Sequence, residues 1–345
     1  MTDENIEPTP KPGVEMNKEL VRLENITKHF PVQSGFIAML LSRGNVPAVH
    51  AVDDISFSIR KGEVFGLAGE SGSGKSTVGR LVLRLLEPTS GHVFFDGIDL
   101  HKLKTEEMRR MRSRMQLVFQ DPLASLNPRM TIGEAILHPV TIHLTTLSKV
   151  EQHQRVLDIL SAVGMNPPES FFELFPHQIS GGQRQRIVLA RALVTNPELI
   201  VADEPIAMAD VSVRALLLDL MMKLKKDFDL TYLFITHDLA TAKYVCDRIA
   251  IMYLGKMCEL GTVQNVYENT LHPYTRALLQ AVPVPDPLHR RKEPMPAGEI
   301  PSAINPPSGC RFHPRCPIAI DKCKKEIPPL LELRPGHLAA CWMAK

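Results

Sequence analysis

The sequence lacks a long hydrophobic stretch. No apolar run approaches the roughly 18 residues that mark a membrane-spanning helix, and the densest short run covers residues 37–41. Residues 1–14 are acidic and proline-bearing, without the apolar core of a secretory signal. We therefore expect a chain that does not cross a membrane by itself and that works in the cytosol.

The chain also lacks a strong excess of charge of either sign. Its 40 basic and 38 acidic side chains leave a formal net charge of +2, which disfavours nucleic-acid binding through bulk charge. An apolar fraction of 44% and a charged fraction of 23% are typical of a globular protein. The length of 345 residues is compatible with about two domains, and we find no internal repeat.

Composition divides the chain into three parts. Residues 1–18 are predicted to be a flexible tail. From about residue 20 the pattern becomes globular, with alternation typical of strands over residues 21–26 and 52–59. Residues 130–175 are mostly helical in pattern. Half of the 28 prolines lie beyond residue 272, so a small, loop-rich C-terminal module over residues 271–345 is expected.

The strongest motif is a glycine-rich loop that matches G-x-x-x-x-G-K-[ST]. A buried strand, Val64–Ala68, precedes it and helical spacing over residues 76–86 follows. Such loops curl backbone N–H groups around phosphates, with Lys75 on the β- and γ-phosphates and the Ser76 hydroxyl on Mg²⁺. The predicted nucleotide-binding residues are Gly69, Glu70, Ser71, Gly72, Ser73, Gly74, Lys75, Ser76 and Thr77.

Four weaker motifs are ambiguous when each is taken alone. Asp203-Glu204 follows the apolar run 199–202 and offers an Mg²⁺ contact and a general base, although a solvated acidic pair is equally ordinary. Gln120 and His237 each follow an apolar run, and a single histidine is more often structural than catalytic. The segment Ser180-Gly181-Gly182-Gln183 suits a γ-phosphate at a helix start or a simple helix cap.

In their order and spacing, these motifs resemble the ATP-binding-cassette (ABC) ATPases. The resemblance implies an α/β P-loop ATPase domain over residues 19–270, with a helical subdomain at about 125–185 that carries the signature segment 180–183. It implies Glu204 and His237 as catalytic residues, and Mg²⁺ held through Ser76, Gln120 and Asp203. It adds Phe30 as the aromatic residue that stacks on adenine, and Asp210 as the aspartate that follows the catalytic glutamate in the chain.

The resemblance narrows to importers of dipeptides and oligopeptides. Residues 120–129, residues 271–278 and the C-terminal cysteines resemble segments of that subgroup. The subgroup implies a second ATPase subunit, two transmembrane permease subunits, an indirect solute-binding protein, no nucleic-acid partner, and a peripheral position on the cytoplasmic side of the cell membrane. Oligosaccharide and nickel importers share the subgroup; a soluble ABC ATPase of DNA repair or of redox regulation is the alternative of another class.

One segment departs from the subgroup. Residues 206–209 read Ile-Ala-Met-Ala where the subgroup has Thr-Ser-Ala-Leu. The hydroxyls that bond across the dimer are missing there, while Glu204 and His237 are intact, so a hydrolysis-competent site is still expected. The sequence does not reveal the transported solute, whether the dimer is homomeric, or the role of residues 36–41.

The C-terminal cysteines form a separate pattern. Five, six and seventeen residues separate Cys310, Cys316, Cys323 and Cys341, unlike the tight pairs of zinc ribbons. Four thiolates suit either Zn²⁺ or a [4Fe–4S] cluster, and the spacing leaves both open. The subgroup resemblance implies the cluster. We expect this cluster to cross-link the proline-rich C-terminal segment and to lie at a distance from the bound ATP.

Overall fold

The computed structural model describes residues 18–32, 47–282 and 298–344. The predicted tail, apart from its last residue, and the segment 36–41 lie outside the described residues. In the described ranges, no helix combines the length and apolar character that crossing a bilayer requires.

A four-stranded antiparallel sheet lies in the N-terminal part of the described chain. Its strands lie in the order β2-β1-β4-β5, and residues of alternating burial turn one face of β1 and β2 inward. Phe57 of β2 stacks on Phe65 at a ring-centroid distance of 4.9 Å, which joins this sheet to the next. The strands are β1 Glu19–Pro31, β2 Ala48–Arg60, β4 Ser90–Phe95 and β5 Ile98–Asp99.

A larger, mixed sheet forms the centre of the molecule. Its order is β11-β12-β10-β9-β3-β8-β7-β6, and the neighbours from β9 to β6 run parallel. Strands buried on both faces read as continuous apolar runs, as Val64–Ala68 does. The strands are β3 Val64–Ala68, β6 Met115–Val118, β7 Leu199–Asp203, β8 Thr231–Thr236, β9 Arg248–Tyr253, β10 Lys256–Thr262, β11 Leu331–Arg334 and β12 His337–Ala339.

Helices complete both faces of the central sheet. Residues 130–175 are mostly helical as predicted, and α4, α5 and α7, which lie between β6 and β7 in the order of the chain, pack on one another. The helices are α1 Lys75–Val82, α2 Thr105–Arg114, α3 Pro122–Ser125, α4 Ile132–His143, α5 Lys149–Ala162, α6 Glu169–Phe172, α7 Gly181–Leu193, α8 Val211–Asp227, α9 Leu239–Val245, α10 Val263–Glu268, α11 Pro273–Ala281 and α12 Asp321–Lys325. The predicted α/β fold with a helical subdomain is confirmed.

Two details differ from the sequence-based expectation. Helix α1 ends at Val82 rather than near residue 86, because Arg84 adopts a left-handed backbone conformation at φ 46°. The C-terminal module also contributes structure to the core. Its strand β12 pairs with β10 at Glu259–Ala339 and Leu260–Leu338. Strands of three and four residues are too short to give a periodic signal in the sequence.

The parallel order brings three strand ends to one edge. In the ladder, Ala68 of β3 is paired with Thr236 of β8, and Asp203 of β7 with Ile235. The loops that follow β3, β7 and β8 therefore leave the sheet side by side, as ligand-binding loops do in open α/β sheets.

Candidate functional site

The glycine-rich loop between β3 and α1 has a backbone that only glycine accommodates at two points. Gly69 and Gly74 have φ of 149° and 104°. A Cβ at Gly69 would lie 2.2 Å from the Met252 carbonyl oxygen, and one at Gly74 would lie 2.1 Å from the Ala51 carbonyl oxygen. The loop thus packs closely against β9 and β2 at these two glycines.

Lys75 lies inside this loop. Its side chain is buried and donates to the carbonyl oxygens of Gly69 at 2.8 Å and Glu70 at 2.9 Å. Burial lowers the pKa of Lys75, and the Glu204, Asp203 and Glu70 carboxylates act against that shift. The ammonium group is therefore held at the floor of the phosphate cradle.

Ser76 and Asp203 meet directly. The Ser76 hydroxyl donates to Asp203 Oδ1 at 2.9 Å across the gap between α1 and β7. Burial raises the pKa of Asp203, and the Ser76 hydrogen bond opposes this shift. A hydroxyl and a carboxylate at one point are oxygen ligands of the kind that Mg²⁺ uses, directly or through water.

Glu204 lies between the other two predicted side chains. Its carboxylate accepts from Gln120 Nε2 at 2.9 Å, and its other oxygen lies 2.9 Å from His237 Nδ1. Glu204 has a φ of 49°, a left-handed conformation that costs a non-glycine residue free energy. Its backbone N–H donates to Ile235 at 2.9 Å, which helps to hold the carboxylate in place.

Except for Asp203, these side chains share one cleft of about 660 Å³. The structure thus brings together the glycine-rich loop, Gln120, Glu204 and His237, which the sequence had predicted as separate motifs. The cleft is lined by Gly69, Glu70, Ser71, Gly72, Gly74, Lys75, Ser76, Thr77, Gln120, Glu204, His237 and Leu278. Leu278 of α11 is an unpredicted member of this lining.

The signature segment has the geometry of a helix cap. The Ser180 hydroxyl accepts from the Gln183 backbone N–H at 3.3 Å, and Gln183 Oε1 accepts from the Ser180 backbone N–H at 2.9 Å. The two interpretations of this segment, a helix cap and a γ-phosphate contact, are compatible with each other, because a capped helix start still directs free backbone N–H groups outward. None of Ser180, Gly181, Gly182 and Gln183 lines the cleft of its own chain.

Four other predicted residues also lie outside the cleft lining, namely Ser73, Asp203, Phe30 and Asp210. Phe30 is partly buried opposite Val49 in the β1–β2 ladder, with Lys28 Nζ 5.0 Å from its ring centroid. Asp210 is exposed at the start of α8, and the neighbouring Met208 is 64% exposed. Phe30 and Asp210 therefore do not contribute to the phosphate cradle of their own chain.

The four C-terminal cysteines line one small pocket. Burial raises the pKa of the Cys310 thiol to about 11 and also raises the pKa of Cys316 and of Cys341. In the part of the chain that the structure describes, no three of the four sulfurs come within 4.8 Å of one another.

The C-terminal module contacts the glycine-rich loop, which the sequence analysis did not predict. Arg315 donates from Nη1 and Nη2 to the two Glu70 carboxylate oxygens, at 3.0 Å and 3.3 Å. Tyr274 accepts from the Glu70 backbone N–H at 2.9 Å. The sequence named the segments that contain Tyr274 and Arg315, but nothing in it signalled that both contact the glycine-rich loop.

Comparison with known proteins gives a consistent result. A family model for "ABC transporter" matches residues 52–207, and one for "Oligopeptide/dipeptide transporter, C-terminal region" matches residues 258–323. "Oligopeptide transport ATP-binding protein AppF" of Bacillus subtilis is 47% identical over 93% of this chain and 96% of its own length. The chain belongs to the ABC transporter family of ATP-binding proteins.

Further relatives of this ABC ATPase agree. "Probable peptide ABC transporter ATP-binding protein y4tS" of Sinorhizobium fredii is 46% identical over 94% of this chain and 90% of its own length. The dimeric ABC cassette MJ0796, solved with ADP and Pi, is 29% identical with a TM-score of 0.61 and covers 70% of this chain and 98% of its own. The resemblance predicted from the motifs is confirmed.

Proposed function

We propose that this ABC ATPase hydrolyses ATP to drive the import of dipeptides or oligopeptides through two separate permease subunits. The observation that carries the proposal is the Glu204 carboxylate, held between Gln120 and His237 at the edge of the cleft. The names of the relatives and the match of the C-terminal region favour peptides over oligosaccharides or nickel. A solute-binding protein would act indirectly, outside the membrane.

The chemistry assigned to the cleft is positioning and charge neutralisation. Lys75 and the loop N–H groups bind the β- and γ-phosphates, and Glu204 accepts a proton from the attacking water. His237 orients the Glu204 carboxylate and contacts the γ-phosphate. Ser76, Asp203 and Gln120 fit Mg²⁺, which offsets phosphate charge when bound. Phe30 would stack on adenine.

A second ATPase subunit would complete each site. The proposal draws support from the position of Ser180–Gln183, which do not line their own cleft. In a head-to-tail pair, the free N–H groups at the start of α7 would face the partner's γ-phosphate. Asp210 would lie at the same interface, where residues 206–209 lack hydroxyls.

We assign a [4Fe–4S] cluster to the four C-terminal cysteines. A tetrahedral zinc site with Zn–S bonds of about 2.3 Å needs sulfurs about 3.8 Å apart, whereas among the described residues no three of the four sulfurs lie within 4.8 Å of one another. A cluster binds each thiolate at a different iron and so suits a wider pocket. When bound, it would cross-link a segment that buries little apolar surface.

The same proposal includes the organisation of the chain. In this proposal the chain divides into a tail of residues 1–18, an ATPase domain of residues 19–270 and a C-terminal extension of residues 271–345. The subunit would lie peripherally on the cytoplasmic side of the cell membrane, against the permeases.

The test combines two inactive variants. Lys75→Ala disables a chain's own phosphate site, and Ser180→Arg blocks the segment it offers to a partner. Mixed dimers contain one intact site, so mixing should restore ATPase activity that neither variant shows alone. Peptide uptake by vesicles containing the assembled transporter is the second measurement. No recovery on mixing would contradict the shared site, and uptake that tracks another solute would contradict the substrate.

A further inference from the structure

A cluster of two histidines and an aspartate lies outside the ATP and cysteine sites. His29 of β1 is opposite His50 of β2 in the antiparallel ladder, and their rings are 3.9 Å apart between centroids. Asp53 belongs to the same strand as His50. One donor atom from each of the three residues lies within 4.8 Å of the other two.

The nitrogens that face this point have no partner of their own. His29 Nε2 and His50 Nδ1 are shielded from solvent and form no hydrogen bond within the described residues. Each is 3.7 Å from an Asp53 oxygen, too far for a hydrogen bond. Shielded nitrogens without a partner are rare in folded proteins and call for a bound water or ion.

The three residues are held in place by other parts of the chain. The backbone N–H of His29 donates to Thr89 Oγ1 at 3.0 Å, and that of His50 donates to Ala303 at 2.9 Å. Asp53 Oδ2 accepts from Arg311. A carboxylate that is itself hydrogen-bonded is the usual arrangement around a bound metal, because the outer partner fixes its orientation.

The charges around the cluster select the kind of ion. Arg311 and Lys256 both approach Asp53, with Lys256 Nζ 4.0 Å from Oδ1, so a hard cation that relies on carboxylate charge is disfavoured. Burial, followed by the neighbouring His29, lowers the pKa of His50. Imidazole nitrogens suit zinc, cobalt, nickel and copper rather than magnesium or calcium.

We propose that His29, His50 and Asp53 form a binding site for a divalent transition-metal ion of the zinc type. The ion would tie β1 to β2 one residue before Phe30. Through Asp53 and Arg311 it would also anchor the C-terminal module to this hairpin. The site shares no residue with the ATP cleft or the cysteine pocket.

Cobalt(II) is a suitable probe because its spectrum distinguishes its ligands. Thiolates add intense charge-transfer absorption, whereas nitrogen and oxygen ligands give visible ligand-field bands alone. The full chain would be titrated as wild type and as His29→Gln and His50→Gln, with zinc as competitor. His92→Gln is the matched control, since His92 lies 3.1 Å from the Asp99 carboxylate on the rim of the same sheet and has no role in the proposal.

We expect one equivalent of cobalt with a nitrogen–oxygen spectrum in the wild type and in His92→Gln. His29→Gln and His50→Gln should each bind it at least about tenfold more weakly, and zinc should raise the unfolding temperature of the wild type but not of these two variants. The proposal is overturned if the wild type binds cobalt through thiolates alone, or if both variants keep the nitrogen–oxygen spectrum.

Discussion

Removal of Arg315 should weaken ATP binding through the charge of Glu70. Arg315 is 8% exposed at its side chain and binds both Glu70 carboxylate oxygens at the rim of the phosphate cleft. In Arg315→Gln the carboxylate loses its counter-charge and repels the incoming phosphates.

The expected magnitude follows from Coulomb's law. Two unit charges about 8 Å apart interact by roughly 2 kcal/mol at an effective dielectric constant of about 20, which corresponds to about thirtyfold in affinity. The Glu70 side chain is 22% exposed, so solvent screens part of this repulsion. We therefore expect ATP affinity to fall about tenfold.

A fluorescent ATP analogue titrated into four variants measures the effect. Glu70→Gln should bind at least as tightly as the wild type, and the double variant Glu70→Gln/Arg315→Gln should recover to within about threefold, because neither retains an unpaired carboxylate. Arg110→Gln, at a side chain that is 80% exposed, controls for the loss of any arginine. Equal affinity in Arg315→Gln and the wild type would refute the reasoning. A double variant as weak as Arg315→Gln would trace the loss to disruption of the loop instead of charge.

Three further predictions concern the cleft and the cysteine pocket. Glu204→Gln should keep ATP binding and lose hydrolysis by about 10²–10⁴-fold, accumulating an ATP-bound dimer on gel filtration; full turnover would rule out its role as base. Gly74→Ala should abolish ATP binding, because the added Cβ would collide with the Ala51 carbonyl oxygen. Gly72→Ala places no atom within 4 Å of the added Cβ, so it should keep ATP binding and lower the free energy of unfolding by about 1–2 kcal/mol. Equal ATP binding by the two variants in calorimetry would contradict this prediction. Replacing any one of the four C-terminal cysteines with serine should lose about four irons per chain and increase proteolysis of the module; stoichiometric zinc without iron in anaerobic preparations would contradict the cluster.

The sequence indicated which side chains come together at the cleft, because several of them directly follow buried parallel strands. Apolar runs such as 199–202 and 232–235 identify strands, and polar residues directly after them must meet at one edge of the sheet. Glu204 and His237 are therefore close for a reason that the local sequence contains. The glycines of the glycine-rich loop also indicate a backbone with positive φ angles, and this requirement is visible in the local sequence.

The contacts of the C-terminal module could not be predicted in this way. Arg315 and Glu70 are 245 residues apart in the chain, and their pairing depends on how α11 and the cysteine pocket pack against the sheet. The His29–His50 pair likewise depends on the register of β1 against β2, which the sequence pattern 21–26 and 52–59 leaves undetermined. The four cysteines indicate that the C-terminal module needs a cross-link, but they do not indicate where the module packs against the rest of the chain.

The pairing of β12 with β10 has a practical consequence for anyone who shortens this protein. Cutting after residue 270 would remove β11 and β12 and leave β10, with its buried residues Cys258 and Leu260, as the open border of the central sheet. Unpaired strand edges of that kind recruit other chains and aggregate. In the full chain the outermost strand is instead β11, whose exposed Glu332 and Arg334 make it a poor template for such growth.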